Sequence, residues 1–591
     1  MSWDPWISEV KYYCLSYCWG ATSCDRRIFV RTPDTMYQSM DITRNLHSAL
    51  QDLGAASQST FYWIDAICID QTDNAERGEQ VSRMKDIYDR ASGVVISLGS
   101  STARLSAAVD IVMQISNQFE KDTRISPDMI VGPSGLNLTA KDTEKLESYT
   151  NYAYQEVAHF FSLPWFRRVW VLQEAFSQTT ISVRLGTRTL PWGSVILAAF
   201  WQAQLARSHT VALPSYGEAD GDGTRQYFPE LWLSLLHTRM PRGLSMIELT
   251  SRARDFQATD PRDKVFSLLG LANDMGPLET RPFGLVPDYT QSTTEVYANF
   301  ARAIILKTRK LDVLSLVNTF DGRRNSSQHL ISWMPDLDAS VATIRGLGFP
   351  NKYDASFSTE VHVELTGRKS DRMHVLTLAG FRIDSIRFTT KNVMLFSRNL
   401  RLYSGDNLDA VAELWRAYGK PSVYGGISEK ECLQQHVELI TATGIALPTE
   451  FPARPLGRVV PVRKFPSVLN DFAAYWARID PDFLDFGAAT RTELQALVKQ
   501  GDADQFGVIA GKACHERKFF TTLNGRMGLC PRDTEVGDAI VILFGGNVPY
   551  VLRPTVHKEW RFIGECYTNG VMFGETWNSG ERGKEEAFHI V

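Results

Sequence analysis

The 591-residue sequence is short of the features that mark membrane, secreted and nucleic-acid-binding chains. No uninterrupted apolar run approaches the roughly 20 residues that a bilayer-spanning helix needs. The first residues, MSWDPWISEVKYYC, lack the basic stretch and apolar core of a secretory signal. Eight cysteines are spread thinly, Cys14, Cys18, Cys24 and Cys68 early, then Cys432, Cys514, Cys530 and Cys566 late. That density suits reduced thiols rather than a disulfide framework. The net charge of -4, with no Lys/Arg block, gives no electrostatic case for nucleic acid. The expectation is a cytoplasmic protein with no membrane-spanning segment and no nucleic-acid partner.

Familiar catalytic motifs are missing as well. FGVIAGKAC (Phe506–Cys514) approaches a phosphate-binding loop, but its first glycine is one place out and no Ser or Thr follows Lys512. HERKF (His515–Phe519) opens like a zinc-protease helix, yet Phe519 stands where the second histidine is needed. The absence of a G-x-S-x-G elbow removes the usual α/β-hydrolase reading. Cys14, Cys18 and Cys24 have neither paired CxxC spacing nor a nearby histidine pair, so structural thiols are expected there, with no metal and no cofactor.

What the chain does have is an ordinary globular composition, 44% apolar and 22% charged, and a pattern that changes along its length. YYCLSYCWG (Tyr12–Gly20) reads as a short strand ending in a glycine turn. ITRNLHSALQDL (Ile42–Leu53) puts Ile42, Leu46, Ala49, Leu50 and Leu53 on one helical face. TFYWIDAICID (Thr60–Asp70) is almost continuously apolar, as a strand buried on both faces of a parallel sheet would be. Helical spacing returns through Val81, Met84, Ile87 and Tyr88, with Asp73 or Asn74 as the cap and Glu76 and Arg77 in the helix start. GVVISLGS (Gly93–Ser100) is a second buried strand closed by Gly99. This alternation predicts an α/β domain with a parallel sheet over residues 1–200.

Within it, residues from about 100 to 150 read as a helical insertion with a loop at VGPSGLNLT (Val131–Thr139). Tyr152–Phe176 reads as two helical segments parted by Pro164. Residues 201–370 read as mainly helical, broken by the loop PSYGEADGDGTRQ (Pro214–Gln226), and Asp260 and Pro261 suit a helix start. Residues 371–591 form a mixed region. Met373–Phe388 alternates like strands, Asp409–Gly419 looks helical, and the end reads as β-hairpins.

Three segments, CLSYCWG (Cys14–Gly20), Phe61–Gly99 and FFSLPWFRRVWVLQE (Phe160–Glu174), resemble in order and spacing the fungal heterokaryon-incompatibility (HET) domain. TDPRDKVFSLLGLA (Thr259–Ala272), VPDYTQSTTEVY (Val286–Tyr297), ISWMPDL (Ile331–Leu337) and the β-rich end look like the C-terminal extension of many such proteins. Two departures stand out. About a dozen residues precede the first motif, fewer than is usual, so an edge element is expected to be shortened or missing, and Ser97 stands where the family usually has Trp.

The resemblance implies a role in non-self recognition and programmed cell death. It also implies a distant relation to TIR domains, hence a TIR/flavodoxin-like parallel sheet flanked by helices. Some TIR domains hydrolyse the N-glycosidic bond of NAD with a Glu on a helix after the third core strand. The comparison puts Trp170 and Glu174 on that helix's W-x-x-x-E pattern, Leu15–Tyr17 beside the nucleotide, and Trp63–Asp65 on the second strand. Cys18 and Trp19 follow where NAD-cleaving relatives often place a basic residue. NAD is then a candidate substrate, and self-association with an unknown protein partner is expected.

Each candidate residue has two readings. Glu174 is either the carboxylate that stabilises or traps an oxocarbenium-like ribose, or half of an ion pair with Arg167 or Arg168. The i,i+4 spacing puts Trp170 on the same helical face as Glu174. Asp65 and Asp70 are placed to accept a ribose hydroxyl at the carboxyl end of a strand, or to serve a strand–loop network; Asp70 is the better ligand candidate. Ser16 and Tyr17 end the first strand, where Tyr17 either stacks on a base or belongs to the core, while Gly20 reads as a tight turn. Arg167 and Arg168 either grip pyrophosphate or form salt bridges. Trp19, Trp63 and Trp165 read as core. The alternative to an enzyme is a non-catalytic, self-associating death-signalling module.

Overall fold

Alternation along YYCLSY sends Leu15 and Tyr17 to one side of a sheet and Cys14 and Ser16 to the other. In the computed structural model these residues form β1 (Tyr12–Tyr17), a central strand. The structure describes residues 11–20, 24–32, 35–54, 60–132, 135–136, 151–207, 243–276, 281, 284–317, 331–337, 346–348, 353–361, 375–396, 402–404, 408–419, 428–442, 465–578 and 582–591. The loop expected at Val131–Thr139 falls partly, and that at Pro214–Gln226 wholly, outside them.

After β1 come a hairpin not legible in the sequence, β2 (Arg26–Thr32) and β3 (Thr35–Ile42), then α1 (Arg44–Gly54). β4 (Phe61–Trp63), α2 (Asp65–Cys68), α3 (Asn74–Arg90) and β5 (Gly93–Ser97) follow. Next are α4 (Ala103–Thr123), α5 (Asn151–Phe161), a 3-10 turn (Pro164–Arg167), α6 (Val171–Ala175), β6 (Ile181–Leu185) and β7 (Arg188–Pro191). The sheet order is β4-β1-β5-β6-β7; the first four strands are parallel and β7 is antiparallel.

Helices cover both faces. Leu46, Ala49 and Leu53 of α1 pack with Leu15, Tyr17, Ile64 and Val95. On the other face Tyr12 Oη and Cys14 Sγ donate to the Ile87 carbonyl of α3, and Trp63 meets Tyr88 edge-on at 5.7 Å. Asp73 caps α3 by accepting from the amides of Ala75 and Glu76. Connections from β1 and β5 thus run in opposite directions, which puts a topological switch point at their carboxyl ends.

One expectation needs correcting. TFYWIDAICID is not a single strand buried on both faces: only Phe61–Trp63 is extended, and Phe61 is exposed. β4 is an edge strand, so one flank needs no cover, and the chain turns helical where the Asp65 carboxylate accepts from the Ala66 amide at 2.8 Å. The second helix after Pro164 is also short, five residues beginning at Val171.

The described middle of the chain is mainly helical: α7 (Trp192–Arg207), α8 (Met246–Ala253), α9 (Asp263–Leu269) and α10 (Thr293–Thr308). Two compact units divide the chain, one built from residues up to Val296 and one from Tyr297 onward. In the second, five strands pair in a closed circuit. Leu376–Thr389 pairs Ala539–Leu543, which pairs Tyr550–Pro554, which pairs Trp560–Glu565, which pairs Glu585–Ile590, which returns to Leu376–Thr389. Further antiparallel strands extend from Leu376–Thr389, so the C-terminal region is β-rich and mixed.

Candidate functional site

Ser16 ends up on the opposite side of β1 from the α1 core, because strand side chains alternate. There it donates to a Glu174 carboxylate oxygen, and its Oγ accepts the Trp165 indole N–H at 2.7 Å. Pro164 starts the 3-10 turn that carries Trp165, and α6 begins seven residues after Pro164 with Trp170 as its N-cap residue. Arg168, between the two, donates from Nη1 to the Tyr17 carbonyl, tying this segment to the end of β1. Ser16, Trp165, Arg168 and Glu174 therefore converge at the carboxyl end of the central strand.

Glu174 is 4% exposed. Burial pushes its carboxyl up from 4.5 to about 7, against the opposing pull of the Arg168 charge and of the hydrogen bonding of Ser16 and Trp165. Near neutrality it can exist as acid or carboxylate, the property that acid–base and electrostatic chemistry needs. Among the described residues no arginine lies within ion-pair distance of Glu174; its hydrogen-bond donor is the Ser16 hydroxyl, which in turn accepts the Trp165 indole N–H.

Asp65 sits at the start of α2, accepting Trp19 Nε1 at 2.9 Å. Burial raises its pKa, and Arg168 opposes the rise. Asp65 thus shares the electrostatic field of Glu174, although α2, not a strand, carries it. Asp70 is exposed and closed on its own turn, accepting from the Thr72 amide at 2.9 Å and hydroxyl at 2.7 Å, which lowers its pKa. Its carboxylate lies apart from the Ser16–Glu174 group.

Tyr17 belongs to the α1-side core, 4% exposed, with its hydroxyl buried and without a hydrogen-bond partner. Trp63 is core. Gly20 adopts φ +75°, and a Cβ there would meet Asn45 Nδ2 at 2.5 Å, while that same amide donates to the Cys18 carbonyl; the tight turn needs glycine.

Trp170 has a partner the spacing did not suggest. Its indole N–H donates to Asp263 Oδ2 at 2.9 Å, from α9. Tyr289 Oη donates to the other oxygen of Asp263 at 2.7 Å, and Arg77 lies 3.5 Å from the Tyr289 ring centroid. Trp165 as a donor, and Asp263 and Tyr289 as a support, were missed. The DPRDK run was the available signal, and local pattern could not say where it docks.

Among the described residues no group of three or more His, Cys, Asp or Glu is arranged to hold a metal ion, and no helix is long and apolar enough to cross a membrane. Comparison with known proteins places two domains on this geometry. Residues 12–174, from β1 to Glu174, match the Heterokaryon incompatibility protein (HET) family, and residues 463–591 match the Het-6 beta-barrel domain. Over 98% of its length the chain is 26% identical to the Heterokaryon incompatibility protein 6, OR allele, of Neurospora crassa, covering 92% of that protein. No solved structure matches the chain. The chain thus carries a region similar to the HET domain and, at its C-terminal side, one similar to the Het-6 beta-barrel domain.

Proposed function

We propose that the protein is an effector of heterokaryon incompatibility, executing programmed cell death in the cytoplasm on non-self recognition. The chain-long similarity to an incompatibility protein supports this reading. We propose further that the N-terminal domain is a TIR/flavodoxin-like module that hydrolyses the N-glycosidic bond of NAD and works in a self-associated state. The strand order β4-β1-β5-β6, second-first-third-fourth among the core strands, supports that classification.

The observation that carries the enzymatic reading is the buried Glu174 carboxyl at the carboxyl end of β1, poised near neutrality beside Ser16, Trp165 and Arg168. As a carboxylate it stabilises the positive charge that develops on the ribose when the bond to nicotinamide breaks. Nicotinamide leaves as a neutral ring and needs no proton; water then adds to the ribose carbon and loses one proton to solvent. Ser16 holds one carboxylate oxygen and is itself held by Trp165, and Arg168 favours the ionised form.

Nicotinamide release from NAD by the full-length protein at high concentration tests this. The isosteric Glu174→Gln variant is expected to lose on the order of 100-fold or more in kcat, and equal release by both proteins removes Glu174 from the reaction. A second reading has one observation in its favour: Glu174 is 4% exposed and already has partners. In that reading the domain is a non-catalytic, self-associating module in which the carboxyl fixes α6 to β1, and NAD does not raise the melting temperature of the protein.

A further inference from the structure

We infer that Asp263 is a positioning residue for Glu174, acting through Trp170, so that residues 254–267 and 289–291 are part of the working site although the HET match ends at Glu174. The inference rests on Glu174 being the acting carboxylate.

A five-residue helix cannot hold its own orientation, because isolated helices of this length do not persist in water. The N-cap residue of α6, Trp170, makes no side-chain cap to the helix. Its direction is therefore set from outside. One tie is the Ser16–Glu174 hydrogen bond. The Arg168 bond to the Tyr17 carbonyl and packing against α3 add to it, and further ties come from residues 254–267 and from Tyr289. Gln257 accepts from the Val169 amide at 2.9 Å and donates to the Arg167 carbonyl, forming an isolated bridge just ahead of the helix. Gln173 Nε2 donates to the Ser267 carbonyl at 2.7 Å. Asp263, 4% exposed, takes the Trp170 N–H on one carboxylate oxygen and the Tyr289 hydroxyl on the other.

Asp263 is itself held. Arg77 lies 4.0 Å from it and 3.7 Å from Asp260, and spreads over the Tyr289 ring. Arg262 grips both oxygens of Asp260, at 2.9 and 2.8 Å, and reaches the carbonyls of Tyr289 and Gln291 at 2.6 and 2.7 Å. Lys264 Nζ donates to the Arg254 and Phe256 carbonyls, which anchors α9 to the strand-like bridge. Trp170 and Glu174 stand one turn apart, so fixing the indole fixes the azimuth at which Glu174 leaves the helix. A buried carboxylate with two donors resists displacement, because moving it strands a charge. The W-x-x-x-E spacing is thus a lever with Asp263 at one end and Ser16 at the other.

The test uses the full chain and reads the state of Glu174 rather than turnover alone. Glu174→Gln is made in the wild-type, Trp170→Phe and Asp263→Asn backgrounds, and melting temperatures are taken at pH 5 and pH 8. In the wild-type background the substitution stabilises more at pH 8, since it removes a carboxyl whose buried ionisation is unfavourable. If Asp263 and Trp170 position Glu174, that pH-dependent gain falls by about half or more in both other backgrounds. A drop in melting temperature with the gain intact makes Asp263 merely structural and overturns the inference. Trp170→Phe keeps an aromatic ring but loses the pyrrole ring with its N–H, so it carries the test if Asp263→Asn does not fold. In the turnover arm, both variants are expected to lose about tenfold in kcat with KM within about twofold. Absence of NAD turnover from the wild type removes the enzymatic reading while the thermal arm still decides the positioning.

Discussion

Ser16 and Glu174, 158 positions apart in the chain, share a buried hydrogen bond between the central strand and the helix that follows the 3-10 turn. The contact joins the first motif of the HET domain to its last residue. It also explains why an acid survives at the end of the apolar run WFRRVWVLQE: a hydroxyl, itself held by an indole N–H, receives it.

Glu174 makes the protein's stability depend on pH. Its folded pKa, about 7, lies above the 4.5 of the free side chain, so the folded state holds the proton more tightly. The associated stability is fully present below about pH 4.5 and is lost as the pH rises through 7. Glu174→Gln is expected to flatten this dependence and to gain up to about 3 kcal/mol at pH 8 relative to pH 4. Urea titrations of both proteins at the two pH values check it; a parallel loss in both contradicts the assignment.

Ser16→Ala removes one donor from a buried carboxyl and the acceptor of the Trp165 N–H. A cost of roughly 1–3 kcal/mol is expected. Because the serine hydrogen bond holds the Glu174 pKa down, the pH window described above should move upward in this variant. Ser16→Thr keeps the hydroxyl and should retain most of the lost stability, as read by thermal melts.

Arg168→Met removes the donor to the Tyr17 carbonyl and the charge that opposes protonation of both Glu174 and Asp65. Both carboxyls should then keep their protons to higher pH. Where turnover is measured, the ascending limb of its pH profile is expected to shift towards alkaline pH. An unmoved limb would show that Arg168 acts only as a tether.

In the second unit, Arg517 is 1% exposed and reaches the Glu565 carboxylate at 3.4 Å, while Glu565 also accepts from the amides of Leu347 and Gly348. Arg517→Met strands that carboxylate, and a loss of about 3–5 kcal/mol is expected. Glu565→Gln keeps one of the two acceptor oxygens, which serve the Leu347 and Gly348 amides separately, and strands no carboxylate, so it should cost less. Equilibrium unfolding of the two variants side by side decides this, and equal costs would place the energy in the packing of the arginine stem.

Much of the framework was legible because it is written in local periodicity. The runs Tyr12–Tyr17 and Gly93–Ser97 are strands, and Val81, Met84, Ile87 and Tyr88 face the core from α3, as spacing alone predicts. Reading TFYWIDAICID as one buried strand failed because continuous hydrophobicity cannot tell an edge strand running into a short helix from a central one. The same limit hid the β2–β3 hairpin, and it put Asp65 on a strand instead of at the head of α2.

The sequence by itself determined which residues carry charge or hydroxyls and which stretches bury a face, since period-2 and helical patterns follow from backbone geometry within a few residues. It determined that Ser16 and Leu15 must look to opposite sides of β1. Only the tertiary structure decided which side received Glu174, that Asp65 shares its field while Asp70 turns to solvent, and that Trp170 reaches Asp263, 93 positions away. Those choices follow from sheet order and helix docking. Both are fixed by burying apolar surface from distant segments at once, a property of the whole unit that no local window contains.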